Sequence, residues 1–318
     1  MLQNVETHKH LGIIINSSLT WKDHISSITL SANKKLNILS SLKSLLDRKA
    51  LTTIYTSCIR PNLEYGNILF CNCTEGENEQ LESTQRRAIK IITGGIVRTP
   101  TNNLLCETNI EALKERRDRN VLLFFFKIVN GLVPHYLLDL KPQPKTQGEY
   151  ILRNQNNFTI PRCRLTKYQN SFLPYAIKLW NNLEPKLKTL TSYECFKTLL
   201  CKNKPENPLF LIGDRQGQII MARLRMRCSN LNGHIFALNI IDSPVCRCGY
   251  VNEDEFHFFF ICPFYYRQRV TLQNSVSAMA PVYLNVLLYG SEDLDFSINK
   301  EIITKTLMYI KSTGRFEE

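Results

Sequence analysis

ITLSANKKLNILSSLKSLL, residues 28–46, places apolar side chains at Ile28, Ala32, Leu36, Leu39, Leu42 and Leu46, the 3–4 spacing of one face of an amphipathic helix. The pattern recurs down the chain, so the expected fold class is mainly α. Asp47 is positioned as the N-cap of a second helix with Leu51, Ile54, Tyr55 and Cys58 on its inner face and Pro61 as its stop. A third helix is expected over 77–93, with Leu81, Gln85, Ala88, Ile89 and Ile92 inward, Arg86, Arg87 and Lys90 outward, and Gly94-Gly95 as its end. A fourth, near 109–130, carries the charged run LKERRDRN ahead of VLLFFFKIV and is expected to be solvated at its start and buried at its end, with Gly131 and Pro134 closing it.

Further helices are expected at 171–183 around Trp180, at 192–202 behind a Ser192 cap, and at 216–230, where Arg223 and Arg227 would share a face. HKHLGIIIN, residues 8–16, is a β-branched run read as a short strand ended by Asn16-Ser17-Ser18. Residues 141–165 are rich in Pro, Gln and Asn and read as a linker or extended arm, with a domain boundary there.

The chemistry-bearing stretch is CRCGYVNEDEFHFFFICPFYY, residues 246–266. It sets Cys246, Cys248, His257 and Cys262 at C-x-C-x8-H-x4-C spacing. Zinc favours four tetrahedral thiolate and imidazole ligands, and two short arms joined at Gly249 can supply them, with a small hairpin as one way to hold Cys246 and Cys248. His257 and Cys262 are five apart, close enough for one ion if the helix ends or loosens at Pro263. With four protein ligands no position stays open for water, so a structural zinc is expected rather than a catalytic one. The alternative is a set of incidental cysteines in a chain that holds 11 of them. The neighbouring Glu253, Asp254 and Glu255 read as a solvated acidic turn, with recruitment of a cation as the alternative.

The net charge is +12, and it is regional: residues 145–235 hold 15 Lys/Arg against 5 Asp/Glu. A phosphate backbone would be drawn to such a surplus, and an ordinary solvated face is the alternative. The apolar runs are far short of a bilayer span and residues 1–10 contain no signal-peptide core, so no membrane association is expected. An odd number of cysteines in a long chain without a signal peptide points to a reducing, intracellular compartment, nucleus or cytoplasm, and not to a disulfide framework. No Gly-x-Ser-x-Gly, phosphate-binding glycine loop or His-Glu-x-x-His motif is present.

Several stretches in order carry a resemblance: HLGIIINSSLTWKDHI (10–25), IYTSCIRPNLEYGNILF (54–70), LESTQRRAIKIITG (81–94), ETNIEALKERRDRNVLLFFFKIVNGLVPHYL (107–137), SFLPYAIKLWNNL (171–183), RLRMRCSNLNGHIFAL (223–238), the cysteine cluster, and LLYG (287–290) with YIKSTGRF (309–316). Together they resemble the C-terminal part of the reverse transcriptase polyprotein of LINE-type (non-LTR, jockey-like) retrotransposons. The resemblance implies the end of a palm-like segment at 1–25, a thumb-like helical region at 26–140, a linker or arm at 141–170, a basic helical connecting domain at 171–240, and a zinc-knuckle-like module at 241–318. Reverse transcriptases hold two metal ions on palm aspartates, usually in a Tyr-x-Asp-Asp strand, and no Asp-Asp pair occurs in this chain. The expectation is that the chain begins just past that strand, with Met1 an internal methionine or an assigned start, and is no polymerase on its own.

By the same resemblance, the partner is RNA and/or DNA. Arg86, Arg87 and Lys90 are candidate backbone contacts, and Arg162, Arg164, Lys167, Arg223, Arg225 and Arg227 would grip phosphates. Phe264, Tyr265 and Tyr266 could stack on unpaired bases or pack in the core. The competing expectations are a zinc-stapled structural or protein-interaction module, and a non-functional remnant.

Overall fold

Helices dominate the computed structural model, which describes residues 5–144, 157–201 and 206–316. The chain forms two compact units. The first comprises Met1–Lys35, Cys58–Gln85 and Glu111–Lys204, and the second Leu36–Ser57, Arg86–Ile110 and Pro205–Glu318. Of the expected linker, residues 145–156 lie outside the described residues. No helix among the described residues is long and apolar enough to cross a membrane.

In the first unit, the run read as one strand is a hairpin, with Thr7–His10 antiparallel to Ile13–Asn16. Leu11 at φ 45° and Gly12 at φ 87° make a two-residue turn with both central residues left-handed, the arrangement that matches strand twist. Leucine is an unusual first residue for that turn, which is why the sequence conceals it. The Tyr65 hydroxyl donates to the Leu11 carbonyl at 2.8 Å and fixes the turn.

The core of this unit forms where Leu113–Val129 packs on Phe172–Asn181 and Tyr193–Leu200. Val121, Leu122, Phe125, Phe126, Ala176, Ile177, Trp180 and Phe196 are buried together. Phe126 stacks on Phe196 with ring centroids 4.4 Å apart, and Phe125 meets Trp180 edge-on at 5.5 Å. Ser192 caps the last of these helices by accepting from the Cys195 N–H. The flank of the linker is tied down by a reciprocal pair of 2.9 Å hydrogen bonds between Phe158 and the Asn181 side chain.

The charged start of Leu113–Val129 is not solvated throughout. Arg117 is buried and donates to Asn78, while Arg116 pairs with Glu64 and Arg119 with Glu111. Asp118, raised by burial against the lowering effect of its 2.7 Å bond from the Tyr175 hydroxyl, is likewise enclosed. The helix expected near 109–130 is Leu113–Val129; ahead of it stands a helix the spacing did not mark, Thr101–Thr108, which ends at Asn109, whose φ is 52°.

In the second unit, Asp47 accepts from the Ala50 N–H and starts Arg48–Ile54 as expected. Pro61 does not stop the helical path: a π-helical turn, Tyr55–Ile59, intervenes, and Pro61 sits in the first turn of Arg60–Glu64. That short helix belongs to the first unit. The Glu75–Thr93 helix buries Leu81, Gln85, Ala88, Ile89 and Ile92, the face the spacing assigned. It ends at Gly94, φ 71°, where a Cβ would lie 2.6 Å from Ile219.

The larger core of the second unit gathers Arg215–Arg225, Tyr266–Ser277, Leu284–Tyr289 and Phe296–Ser312 around Leu224, Phe258, Phe259, Leu272, Leu287, Ile302 and Ile310. The Tyr309 hydroxyl donates to the Phe258 carbonyl at 2.7 Å, bonding the last helix to the cysteine-bearing segment. The expected helix over 216–230 stops at Arg225. Arg227 adopts φ 52°, so it does not continue the helical face of Arg223.

The second unit also holds a buried ionic cluster. Arg48, fully buried, donates to Glu107 at 2.6 Å and to Glu206 at 2.6 Å. Arg225 holds the same Glu107 carboxylate at 2.6 and 3.0 Å and lies 3.8 Å from the centroid of the Phe210 ring. Each charge in the cluster thus has a partner, the condition under which buried charges are tolerated.

Candidate metal centre and basic surfaces

Two local turns build the cysteine cluster. The Cys246 N–H donates to the Tyr250 carbonyl and the Gly249 N–H to the Cys246 carbonyl, each at 2.9 Å, with Gly249 at φ 90°. This turn, not a hairpin of paired strands, brings Cys246 and Cys248 onto one site. On the other arm, His257–Ile261 is a π-helical turn closed by a 2.8 Å bond from the Cys262 N–H to the His257 carbonyl. An i→i+5 bond sets residue 262 over residue 257, the loosening that the five-residue spacing required. Cys262 is extended, as the following Pro263 demands.

The donor atoms of Cys246, Cys248, His257 and Cys262 all lie within 4.8 Å of one another. The Cys246 and Cys262 sulfurs are 4.0 Å apart, and the Cys248 sulfur is 3.3 Å from His257 Nε2. Around tetrahedral zinc, with bonds of about 2.3 Å to sulfur and about 2.0 Å to nitrogen, the corresponding separations are about 3.8 and about 3.5 Å. The residues therefore fit such an ion, and the cluster could bind a metal such as zinc.

The environment of the four residues matches that chemistry. His257 aims Nε2 into the cluster, its Nδ1 is buried with no partner among the described residues, and Tyr250 stacks on its ring at 4.3 Å. Burial pushes the Cys246 thiol up to about 12, and burial also raises Cys262. Burial opposes ionisation of Cys248 too, but the Tyr250 N–H and the thiols of Cys246 and Cys262 outweigh it and pull that thiol below its ordinary value. A cation at the centre would supply to the other two what burial withholds.

The acidic triplet between the arms is not a solvated turn. Glu253 is buried and accepts from Arg315 at 2.7 and 2.8 Å and from the Asn232 N–H at 2.9 Å. Glu255, also buried, lies 2.7 Å from His234 Nε2 and 3.0 Å from Arg227 Nε, and His234 Nδ1 is 2.8 Å from the Ser229 hydroxyl. Asp254 accepts from the His257 N–H at 2.8 Å. Asp254 thus positions the His257 arm, while Glu253 and Glu255 are engaged by Arg315, His234 and Arg227.

The basic candidates separate into groups. Arg162, Arg164 and Lys167 are exposed on the first unit, where Lys167 donates to the Ser18 carbonyl at 2.6 Å. In the second unit Arg87, Lys90 and Arg223 line one cleft of about 540 Å³ together with Lys43 and Arg215, two residues the sequence had not singled out. Arg86 is half-buried on the same helix and outside that lining. Arg225 is buried on Glu107, and Arg227 is exposed but paired with Glu255. Of the three aromatics beside the cluster, Phe264 and Tyr266 are exposed and Tyr265 packs edge-on against Phe258.

Comparison with protein-family models, with curated proteins and with solved structures returned no match to this chain.

Proposed function

We propose that the chain is a nucleic-acid-binding C-terminal part of a LINE-type reverse transcriptase polyprotein, supplying grip on RNA or DNA and no polymerase chemistry of its own. In this reading the Cys3His cluster holds a structural zinc, the helices near 26–140 are thumb-like, and the basic region before the cluster contacts phosphates. The zinc, when bound, clamps the two arms. The chain's own residues do the recognition.

The observation that carries the reading is the surface of those arms. Arg247, Tyr250, Phe264, Tyr266 and Arg267 are all exposed on or beside the two ligand-bearing turns. Cations interleaved with outward aromatic rings are what a single strand requires, the cations for phosphates and the rings for bases. Arg162, Arg164, Lys167 and Tyr168 offer a second exposed set of the same composition.

A specific observation favours a second reading for part of the surface. Arg225 and Arg227 are engaged by Glu107 and Glu255, as in a zinc-stapled structural or protein-interaction module, so neither is assigned to phosphate contact. The test is fluorescence anisotropy with a single-stranded RNA and the variants Phe264→Ala and Tyr266→Ala. Loss of a stacking ring is worth about 1–3 kcal/mol, so each variant should weaken binding by about 5-fold or more. Unchanged affinity in folded, metal-loaded variants would overturn the assignment.

A further inference from the structure

The cleft lined by Lys43, Arg87, Lys90, Arg215 and Arg223 is built differently from the ion-paired arginines of the second unit. No carboxylate is among its lining residues, whereas Arg48, Arg225 and Arg227 are each matched to one. Arg215, Arg223 and Lys90 are oriented by neutral groups. Arg215 donates to the carbonyls of Lys43, Ile92 and Ile91 at 2.9, 2.7 and 2.8 Å, and Arg223 donates to Gly94 at 2.7 Å. Lys90 donates to the Val97 carbonyl. A carbonyl fixes the direction of a cation without cancelling its charge, so positive potential accumulates in the cleft.

The charge has a cost in the free protein. Burial lowers Arg215 to about 10, with Arg48 adding to the effect, and burial then Arg86 lower Lys90. An anion seated among these groups would reverse both effects. Asp47 acts on Arg215 in the opposite direction, but its carboxylate is already engaged in capping Arg48–Ile54.

Size and lining narrow the ligand. A volume of about 540 Å³ lies in the range of small-ligand sites and exceeds what a bare phosphate fills. Ser40, Ser44 and Gln216 add hydrogen-bonding groups, while Ile91 and Ile219 give apolar walls. We propose that this cleft binds a phosphorylated ligand of mononucleotide size, its phosphates on the Lys43, Lys90, Arg215 and Arg223 cations and its apolar part against Ile91 and Ile219. The ligand is either a free nucleotide or the phosphorylated end of a strand. The inference stands apart from the metal-bearing arms and does not rest on the function proposed for them.

The test is calorimetric titration of the full, zinc-loaded chain with inorganic pyrophosphate, adenosine 5′-triphosphate, and one short oligonucleotide carrying either a 5′-phosphate or a 5′-hydroxyl. Lys43 is exposed, so Lys43→Glu removes and reverses a charge without disturbing packing; Lys43→Glu/Lys90→Glu is the stronger variant, with circular dichroism as its folding control. Saturable pyrophosphate and nucleotide binding, weakened about 10-fold or more in the double variant, is the expected result. Preference for the 5′-phosphorylated strand would assign the strand end, and equal binding of the two strands would assign the free nucleotide. Absence of saturable pyrophosphate binding at low salt, or equal affinity in a folded double variant, would overturn the proposal. Unchanged RNA binding in Phe264→Ala with pyrophosphate binding intact would count against the arms alone.

Discussion

Removing the Glu107 carboxylate should be among the most damaging single substitutions in the second unit. Glu107 Oε1 lies 2.6 Å from both Arg48 and Arg225, and Oε2 lies 3.0 Å from Arg225. In Glu107→Ala, Arg48 keeps Glu206 at 2.6 Å and the Glu107 carbonyl at 2.6 Å. Arg225 keeps only a 3.3 Å bond to the Leu288 carbonyl and the face of Phe210. About one buried positive charge is stranded, which costs about 3–5 kcal/mol. That is a large share of a typical domain stability of about 5–15 kcal/mol. Glu107→Gln keeps the volume and one acceptor but loses the charge-assisted character of the bonds, so about 2 kcal/mol is expected. Adding Arg225→Met to Glu107→Ala should restore part of the loss, because it removes the stranded charge. The assay is urea unfolding followed by far-UV circular dichroism. Tryptophan fluorescence is the wrong probe, since Trp21 and Trp180 both belong to the first unit. A loss below about 1 kcal/mol in Glu107→Ala would refute the argument, because it is the value of an exposed pair.

Asp214 gives a pH test. Its carboxylate accepts from Lys311 at 2.9 Å and from the Gly217 N–H at 3.0 Å; the Lys311 bond, opposed by partial burial, holds it below its ordinary value of 3.8. A depressed folded-state value means that its stabilisation is present above the ordinary value and lost as pH falls through the folded one. Asp214→Asn keeps the cap, so thermal melts should show a small deficit against the parent at pH 7 that disappears in acid; a deficit that persists unchanged at low pH would contradict this. Asp214→Ala also loses the cap and should cost about 1 kcal/mol more. For the metal centre, the purified chain should carry one zinc by elemental analysis, and Cys248→Ser and Cys262→Ser should lose it. Chelation should lower the melting temperature of the parent, since a ligand held at about 1,000 times its dissociation constant contributes about 4 kcal/mol. A melt indifferent to chelation would remove the staple from the account.

The features legible in the sequence were those written in local spacing. The inner face of Glu75–Thr93 and the Asp47 and Ser192 caps depend on residues within a turn or two of one another, and the four metal-ligand candidates lie in one short stretch, 246–262. The loosening between His257 and Cys262 was also readable, from a five-residue interval followed by proline. What escaped were pairings across long separations. Arg225 and Glu107 are 118 residues apart and Arg315 and Glu253 are 62 apart, so periodicity could mark them only as charged. For the same reason LKERRDRN read as solvated although Arg117 is buried. Backbone reversals without their usual residues escaped as well: the turn at Leu11-Gly12, and the positive φ that turns Arg227 away from Arg223. The cleft was half visible. Arg87, Lys90 and Arg223 were marked by charge, whereas Lys43 and Arg215 join them only through the fold.

Binding of a structured RNA and a DNA duplex across a salt series, with zinc bound and after chelation, tests the central claim most directly. The account predicts tight binding at low salt, with log affinity falling against log salt by about 0.7–0.9 per phosphate contacted, and weaker binding once the metal is withdrawn. A folded, zinc-loaded chain that binds neither RNA nor DNA at low salt would contradict it.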